Sequence, residues 1–518
     1  MAGHTEVERT YEVDGVAEIV IEDFTGPDGR ITVDEPETRQ LVADYVDTPD
    51  LTLAAHGITL RRRRGGPDEG WHLKVPMAKG TRQEVRAPLG VGVHRVPARL
   101  AGLVAAHVRG HELVPIVTVQ TTRTIRRLRG RRGEVLAEVA DDVVLGRRLD
   151  ADRRPASWRE IEVELVDGPT GVLDAVEARL REAGAVPSPA VSKLAHVLGD
   201  DLIPDPGGAP ARSAAEVLIA YVRRQRDQVL AYDPLVRLAD HDDDSVHKMR
   251  VAVRRIRSLL RTHSRLLDRD QAGSLDAELK WLAGELGTVR DLEVLNARFD
   301  RQLADPLPGG LDPDGDAAQR RMSRLTSAEW PAQLATRERK ARQELGRTLR
   351  TPRYFALLTA VDDFIAGPPV HDRANRKAGR LTPALVARSW RKVLTKYGKA
   401  AHLPEGPERD RALHSTRKAA KRARYTAEAA RPTLGKPAKK LARQAERLQE
   451  ALGRRQDALV ARRQLARLAT RPGLTTADAF TLGLLLAGER HEAAAADRGL
   501  APVWDKAARP KLLRALKL

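Results

Sequence analysis

The chain contains no cysteine among its 518 residues. This excludes disulfide staples, thiolate metal sites and cysteine nucleophiles, and it suits a reducing compartment. Aromatic residues make up only 3%, which leaves few platforms on which the bases of a single strand could stack. No N-terminal stretch joins a basic start to an apolar run, so no secretory signal is expected and a cytoplasmic location is. The most apolar segment, Thr481 to Ala487, is too short to span a bilayer, so no membrane partner is expected. With 42% hydrophobic residues the chain is nonetheless globular, and its length allows roughly two to four domains.

Charge is unevenly placed. The net charge is +19. Residues 1–200 carry 28 Lys and Arg against 32 Asp and Glu, a balance of −4, whereas residues 201–518 carry 62 against 39, a balance of +23. A field of that sign gathers anions: phosphate polymers, nucleic acid or anionic lipid.

The segment 201–212, with three Pro and two Gly, reads as a linker between domains 1–200 and 213–510. Before it, period-two runs predict strands at Glu6–Val13, Trp71–Val75, Arg82–Arg86, Val135–Val139 and Trp158–Leu165. Helices are expected at about Glu35–Tyr45 and Gly171–Ala183. Beyond the linker nearly everything has helical period, with breaks near 305–315, 367–369, 403–407 and 431–437, as in bundled antiparallel helices.

The helical part contains a repeat, about 213–300 and 380–470. His247, Arg250, Arg254 and Arg257 match His414, Arg417, Lys421 and Arg424 at an offset of 167. Leu286-Gly-x-x-x-Asp291 matches Leu452-Gly-x-x-x-Asp457 at 166, and Arg223 matches Arg391 at 168. From each His the cations fall at +3, +7 and +10, within an arc of roughly 80° and over about 15 Å of helix. A row of like charges destabilises an isolated helix. A phosphate chain would compensate it, with Arg binding in bidentate fashion and Lys as a point charge. Asp291 and Asp457 are expected to orient an Arg across the bundle. This duplicated pattern resembles the CHAD domain. The resemblance implies an all-α domain of two pseudo-symmetric four-helix bundles that binds inorganic polyphosphate through Arg223, His247, Arg250, Arg254, Arg257, Arg391, His414, Arg417, Lys421 and Arg424. It also implies association with polyphosphate granules.

In the first domain, Glu6 and Glu8 share one strand face, as do Glu160, Glu162 and Glu164, with Glu138 and Asp141 between them. Arg61 and Arg63 share another, and Lys74, Arg82 and Arg126 add cations. A dry core cannot hold so many charges. Spacing alone leaves two arrangements equally open: a sandwich with these charges in water, or a wet tunnel filled by metal and phosphate.

Glu6-x-Glu8, Tyr45-x-Asp47-Thr48, Leu60-Arg-x-Arg63, Trp71-x-x-Lys74, Arg82-x-Glu84 and Glu160-x-Glu162-x-Glu164, with a late Ser192-Lys193, resemble the CYTH domain of the triphosphate tunnel metalloenzymes. The resemblance implies an α+β domain with an antiparallel eight-stranded β tunnel and metal-dependent hydrolysis of a triphosphate, with inorganic triphosphate as the expected substrate. Glu6, Glu8, Glu160 and Glu162 would hold Mg²⁺ or Mn²⁺, and Arg61, Arg63, Lys74, Arg82 and Arg126 the phosphates. One departure stands out. Thr10 occupies the place of the Lys in the family's Glu-x-Glu-x-Lys signature, and Arg9 points to the opposite face. A non-catalytic polyphosphate-binding protein is therefore the alternative. Nucleic acid ranks below both, since no motif places a side chain in a groove.

Overall fold

In the computed structural model the chain divides into two compact units, residues 1–207 with 233–242, and residues 208–232 with 243–518. The structure describes residues 4–14, 31–78, 81–90, 95–149, 154–202, 211–238, 244–304 and 329–516. Most of the expected linker 201–212 and the expected break at 305–315 lie outside the described residues.

The first unit is built on strands β1 (His4–Val13), β2 (Thr32–Val33), β3 (Glu37–Asp47), β4 (Thr59–Arg64), β5 (Gly70–Ala78), β6 (Thr81–Ala87), β7 (Val114–Arg129), β8 (Val135–Arg148), β9 (Ala156–Leu165) and β10 (Val186–Pro187). Eight of them run β1-β6-β5-β4-β3-β7-β8-β9 and close back onto β1, every pair antiparallel. Closure uses β1 twice: His4–Val7 pairs with β6 and Glu8–Val13 with β9. A closed sheet has no edge to protect, so the expected barrel is present.

Its dry core lies outside it. Tyr11, Val13, Leu128, Val139, Ile161 and Val163 point outward and pack on Val172, Leu173, Val176 and Leu180 of the helix Gly171–Glu182. A second outer cluster joins Ala43, Ile116, Val117 and Val119 to Leu194 and Leu198 of the helix Lys193–Leu198. Strand alternation then turns the charged set inward.

The helix expected at Glu35–Tyr45 is instead strand β3. Its composition suits a helix, but β4 and β7 both pair with it, and Leu41, Ala43 and Tyr45 are buried at period two. Tertiary pairing overrides a weak local preference.

The second unit is helical. The expected repeat motifs fall on the helices Ser245–Thr262 and Pro407–Ala429, which pack against one another. Val246, Met249, Val253, Ile256 and Leu260 form the buried face of the first. Leu413, Thr416, Ala419, Ala420 and Ala423 do so for the second. The helices opening the two copies, Ala214–Arg237 and Ala378–Ala401, are tied at their starts by reciprocal hydrogen bonds. Ala214 N donates to Arg376 O at 3.2 Å, and Ala378 N to Arg212 O at 2.8 Å. A hydrophobic cluster of Leu295, Phe299, Trp330, Leu465, Leu468 and Leu485 draws on both copies. No helix among the described residues is long and apolar enough to cross a membrane.

Candidate functional site

The barrel encloses a cavity of about 340 Å³ lined mainly by charged side chains. Two groups of carboxylates stand at it. Glu160 and Glu162 line it, and with the fully buried Asp142 they bring carboxylate oxygens within 4.8 Å of one another. Lys193, 7% exposed, reaches all three, with Nζ 2.9 Å from Asp142, 2.5 Å from Glu160 and 2.6 Å from Glu162. Arg123 pairs with Asp142 at 2.6 Å and also with Glu162. On the other side, Lys74 Nζ is 2.6 Å from Glu6 and 3.7 Å from Glu8, and Arg82 is 3.1 Å from Glu8. Arg61 donates to the Tyr45 hydroxyl at 3.3 Å, and Arg63 pairs with Asp68.

These environments move the titrations apart. Burial pushes the Glu6 carboxyl up to about 7 against the opposing pull of Lys74. Burial also raises Glu160, with Lys193 opposing and Glu162 adding to the rise. For Glu162 burial is outweighed by Lys193 and Arg123, which hold it well below the usual carboxylate range. Burial, reinforced by Arg61 and Arg123, lowers Arg63 to about 10. Arg63 is thus crowded by Arg61 and Arg123 despite its Asp68 partner, which suits a phosphate guest, whereas Arg61, against the opposing effect of burial, is itself raised by Tyr45, Glu84 and Glu162.

In the helical unit the two basic stripes converge. Arg250 and Arg254 of one copy face Arg417 and Lys421 of the other. Burial, then Arg254, Arg417 and Arg250, hold the Lys421 ammonium down at about 6, with Asp457 opposing. Arg250 pairs with Asp291 at 3.2 Å and Arg417 with Asp457 at 3.8 Å. Among the described residues neither Arg254 nor Lys421 has a carboxylate partner. His247 is half-buried and held at about 4 by burial and by Arg290. His414 shares a hydrogen bond with Gln456 Oε1 at 3.1 Å.

The Leu-Gly-x-x-x-Asp motif has a visible purpose. Leu286 and Leu452 are core residues. A Cβ on Gly287 would lie 3.2 Å from the Arg250 guanidinium, and one on Gly453 3.2 Å from that of Arg417. Each glycine lets a guanidinium lie flat on the neighbouring helix, one turn before the Asp that fixes its end.

Comparison with known proteins agrees in both halves. The CYTH domain family model matches residues 4–197 and the CHAD domain model residues 220–466. Two uncharacterised proteins of Mycobacterium tuberculosis, from strains CDC 1551 and H37Rv, are each 37% identical over 445 residues, covering 82% of both chains. The chain belongs to the CYTH–CHAD family. Among solved structures, PptA from Streptomyces chartreusis is similar at 22% identity and a TM-score of 0.45, over 57% of this chain and 100% of that one.

Several expected residues of the CYTH unit need correction. Arg126 is not in the lumen. Arg123 and Arg127 line it, and Arg126 lies on the other phase of β7 with the outward Leu128. Asp141 likewise faces out and pairs with Arg159 at 2.7 Å, leaving Asp142 inside. Glu6 and Glu8 stand with Lys74 and Arg82, so the close carboxylate group is Asp142, Glu160 and Glu162. That group fits a hard divalent cation. Glu160 Oε1 is buried with no aligned hydrogen-bond donor, although the Lys193 ammonium is close, and Glu6 Oε2 is in the same position beside Lys74. Arg61, Arg63, Lys74, Arg82, Glu160 and Glu162 do line the lumen. Arg9 faces out, bound to Asp174 at 2.7 Å and Glu177 at 2.6 Å, and Thr10 faces in.

In the CHAD unit, Arg257 and Arg424 end their stripes in ion pairs rather than in the cluster. Arg257 meets Asp276 at 3.1 Å, and Arg424 meets Glu428 and Glu446 at 2.7 Å each. Arg223 is half-buried on its helix and Arg391 is exposed. Asp142 and Arg123 stand in none of the motifs legible in the sequence, and Lys193 stands only in the late Ser192-Lys193. Spacing held one clue: Glu138 and Asp142 share a phase four residues apart.

Proposed function

We propose that the CYTH unit binds and hydrolyses a triphosphate with a divalent metal, and that the CHAD unit binds inorganic polyphosphate. The first reading is carried by one lumen lined by Glu160 and Glu162, with Asp142 grouped behind them, beside Arg61, Arg63, Lys74, Arg82 and Arg123. The carboxylates would hold Mg²⁺ or Mn²⁺, and a bound ion supplies Lewis acidity at phosphoryl oxygens. The cations neutralise the oxygens of the chain and align it along the tunnel. Water attacks the terminal phosphorus, the bridging P–O bond breaks, and its electron pair leaves on the pyrophosphate oxygen. Inorganic triphosphate fits a lumen in which charged side chains outnumber apolar ones among the described residues. Phosphate release from triphosphate with Mg²⁺ or Mn²⁺ tests this, against an E160Q/E162Q control. Equal release from both proteins would refute it.

A second reading keeps binding and drops turnover. It is favoured by Thr10, which lines the lumen where the family signature carries Lys. Under it, wild-type release stays at background, and T10K raises it.

The polyphosphate reading is carried by Arg250, Arg254, Arg417 and Lys421, four converging cations with two flanking carboxylates. We read the unit as two four-helix bundles about a pseudo-twofold axis, supported by the reciprocal bonds at Ala214 and Ala378. Replacing the four cations by Ala should abolish polyphosphate binding while triphosphate turnover persists. Undiminished affinity would make the stripes structural. Association with polyphosphate granules in a cytoplasmic setting follows from this reading.

A further inference from the structure

The second copy carries a cluster of cations that the first copy lacks. On the helix Ala378–Ala401, Lys392, Lys396 and Lys399 stand at i, i+4 and i+7, on one face over about 10 Å. On the helix Pro407–Ala429, Lys418 and Arg422 lie about 40° and 80° around from His414, beside the stripe. The two helices pack together, and Lys396 Nζ donates to Ser415 Oγ at 2.6 Å. Burial, then Arg422, Lys392, Lys399 and Lys418, hold the Lys396 ammonium below its ordinary range. Among the described residues, none of the five has a carboxylate partner.

The repeat does not require this cluster. At the offsets of 168 and 167, the first copy has Gln228, Ala231 and Val251 in place of Lys396, Lys399 and Lys418. Of the two cations it keeps, Arg224 stacks near Tyr221, and Arg255 is bound to Glu428 at 3.2 Å. Unpaired like charges this close cost stability, so an external anion is the natural counterpart.

We propose that this face is a second contact surface for polyphosphate, taking the part of a long chain that runs past the central cluster. It rests on the polyphosphate reading above and adds a chain-length preference to it. Continuity supports it. Lys418 is the strongest charged neighbour of His414, which heads the stripe of Arg417 and Lys421. Tyr397, between Lys396 and Lys399 on the same helix, is stacked on Trp504 at 3.7 Å. It therefore offers no platform to an unpaired base, which favours a polymer of phosphate alone.

The test uses the full chain, a short oligophosphate that spans only the central cluster, and a polyphosphate several times longer. In the variant K392Q/K396Q/K399Q/K418Q, affinity for the long chain should fall about tenfold, with the salt slope of log K shallower by roughly 0.7 per lost contact. Affinity for the short chain should stay within about twofold. The matching Lys→Arg variant should retain the long-chain affinity, and thermal melting checks the fold of both. Unchanged long-chain binding, or an equal loss for both lengths, overturns the proposal. So does loss of duplex DNA binding with long-chain affinity retained, which would give the face to nucleic acid. A wild-type chain that binds neither length sinks the polyphosphate reading itself.

Discussion

At the scale of single residues, Gly287, Gly453 and Lys193 separate function from stability. Ala in a helix interior is ordinarily better than Gly by about 1 kcal/mol. At Gly287 and Gly453, however, the added Cβ would press on a guanidinium at 3.2 Å. The double variant G287A/G453A should thus melt at the same or a higher temperature yet bind polyphosphate several-fold more weakly. Calorimetric titration beside a melting curve checks both halves, and unchanged affinity would remove the glycines from the site. Lys193 has the opposite signature. It is the shared ammonium of three carboxylates, two of them buried. K193M leaves Arg123 as their remaining close cation, and breaking a buried ion pair in this way typically costs about 3–5 kcal/mol. Urea denaturation should show that loss, with Mn²⁺ restoring part of it. A loss below about 1 kcal/mol would mean that the acids relax into solvent.

At the scale of elements, phase decides which charge is inside. β7 carries Arg123, Arg126, Arg127 and Arg129 on both of its faces, so its sequence alone leaves the inward set open. The register to β8 settles it, placing Arg123 opposite Asp142. R123A should therefore weaken triphosphate binding at least tenfold, the scale of a lost charge-assisted contact of about 1.5–3 kcal/mol, while R126A leaves it within about twofold. Direct binding of triphosphate to the two variants checks this, and equal losses would refute the assigned phase. The inward strands β1 and β9 were legible because glutamates recur there at period two. Strand β3 was not, since Glu37–Asp47 has helix-forming composition and only its neighbours make it a strand. The helical stripes were legible from spacing, but their ends were not. Arg257 is claimed by Asp276, and Arg424 by Glu446 besides its i,i+4 neighbour Glu428; Asp276 and Glu446 lie 19 and 22 positions away, where no local pattern connects them. What sequence conveys is periodicity within an element; what it hides is which partner another element brings.

At the scale of the molecule, the convergence of two copies gives the CHAD unit a pH response that neither stripe would have alone. Lys421 is faced by Arg254, Arg417 and Arg250, with Asp457 opposing, and in the free protein it loses its proton at about 6. The unfolded chain keeps that proton up to the ordinary lysine range near 10.4. Between these limits the unfolded state binds more protons, so this group makes the free protein more stable as pH rises and less stable as pH falls towards 6. On the proposed polyphosphate reading, the balance at the same atom would be reversed. The polymer's oxygens would raise the Lys421 titration, binding would take up a proton, and affinity should fall as pH rises above 6, by up to about one decade per pH unit. Stability and affinity must then slope in opposite directions over the same range. K421R, whose guanidinium stays charged, should flatten both. Melting curves and binding isotherms across pH 6–9 measure the two slopes. His247, at about 4 in the folded protein and near 6.5 unfolded, adds to the stability slope only at the acid end of that range, where K421R leaves its share in place. Parallel slopes, or an affinity slope that survives K421R, would place the titrating group outside the cluster formed by the two copies.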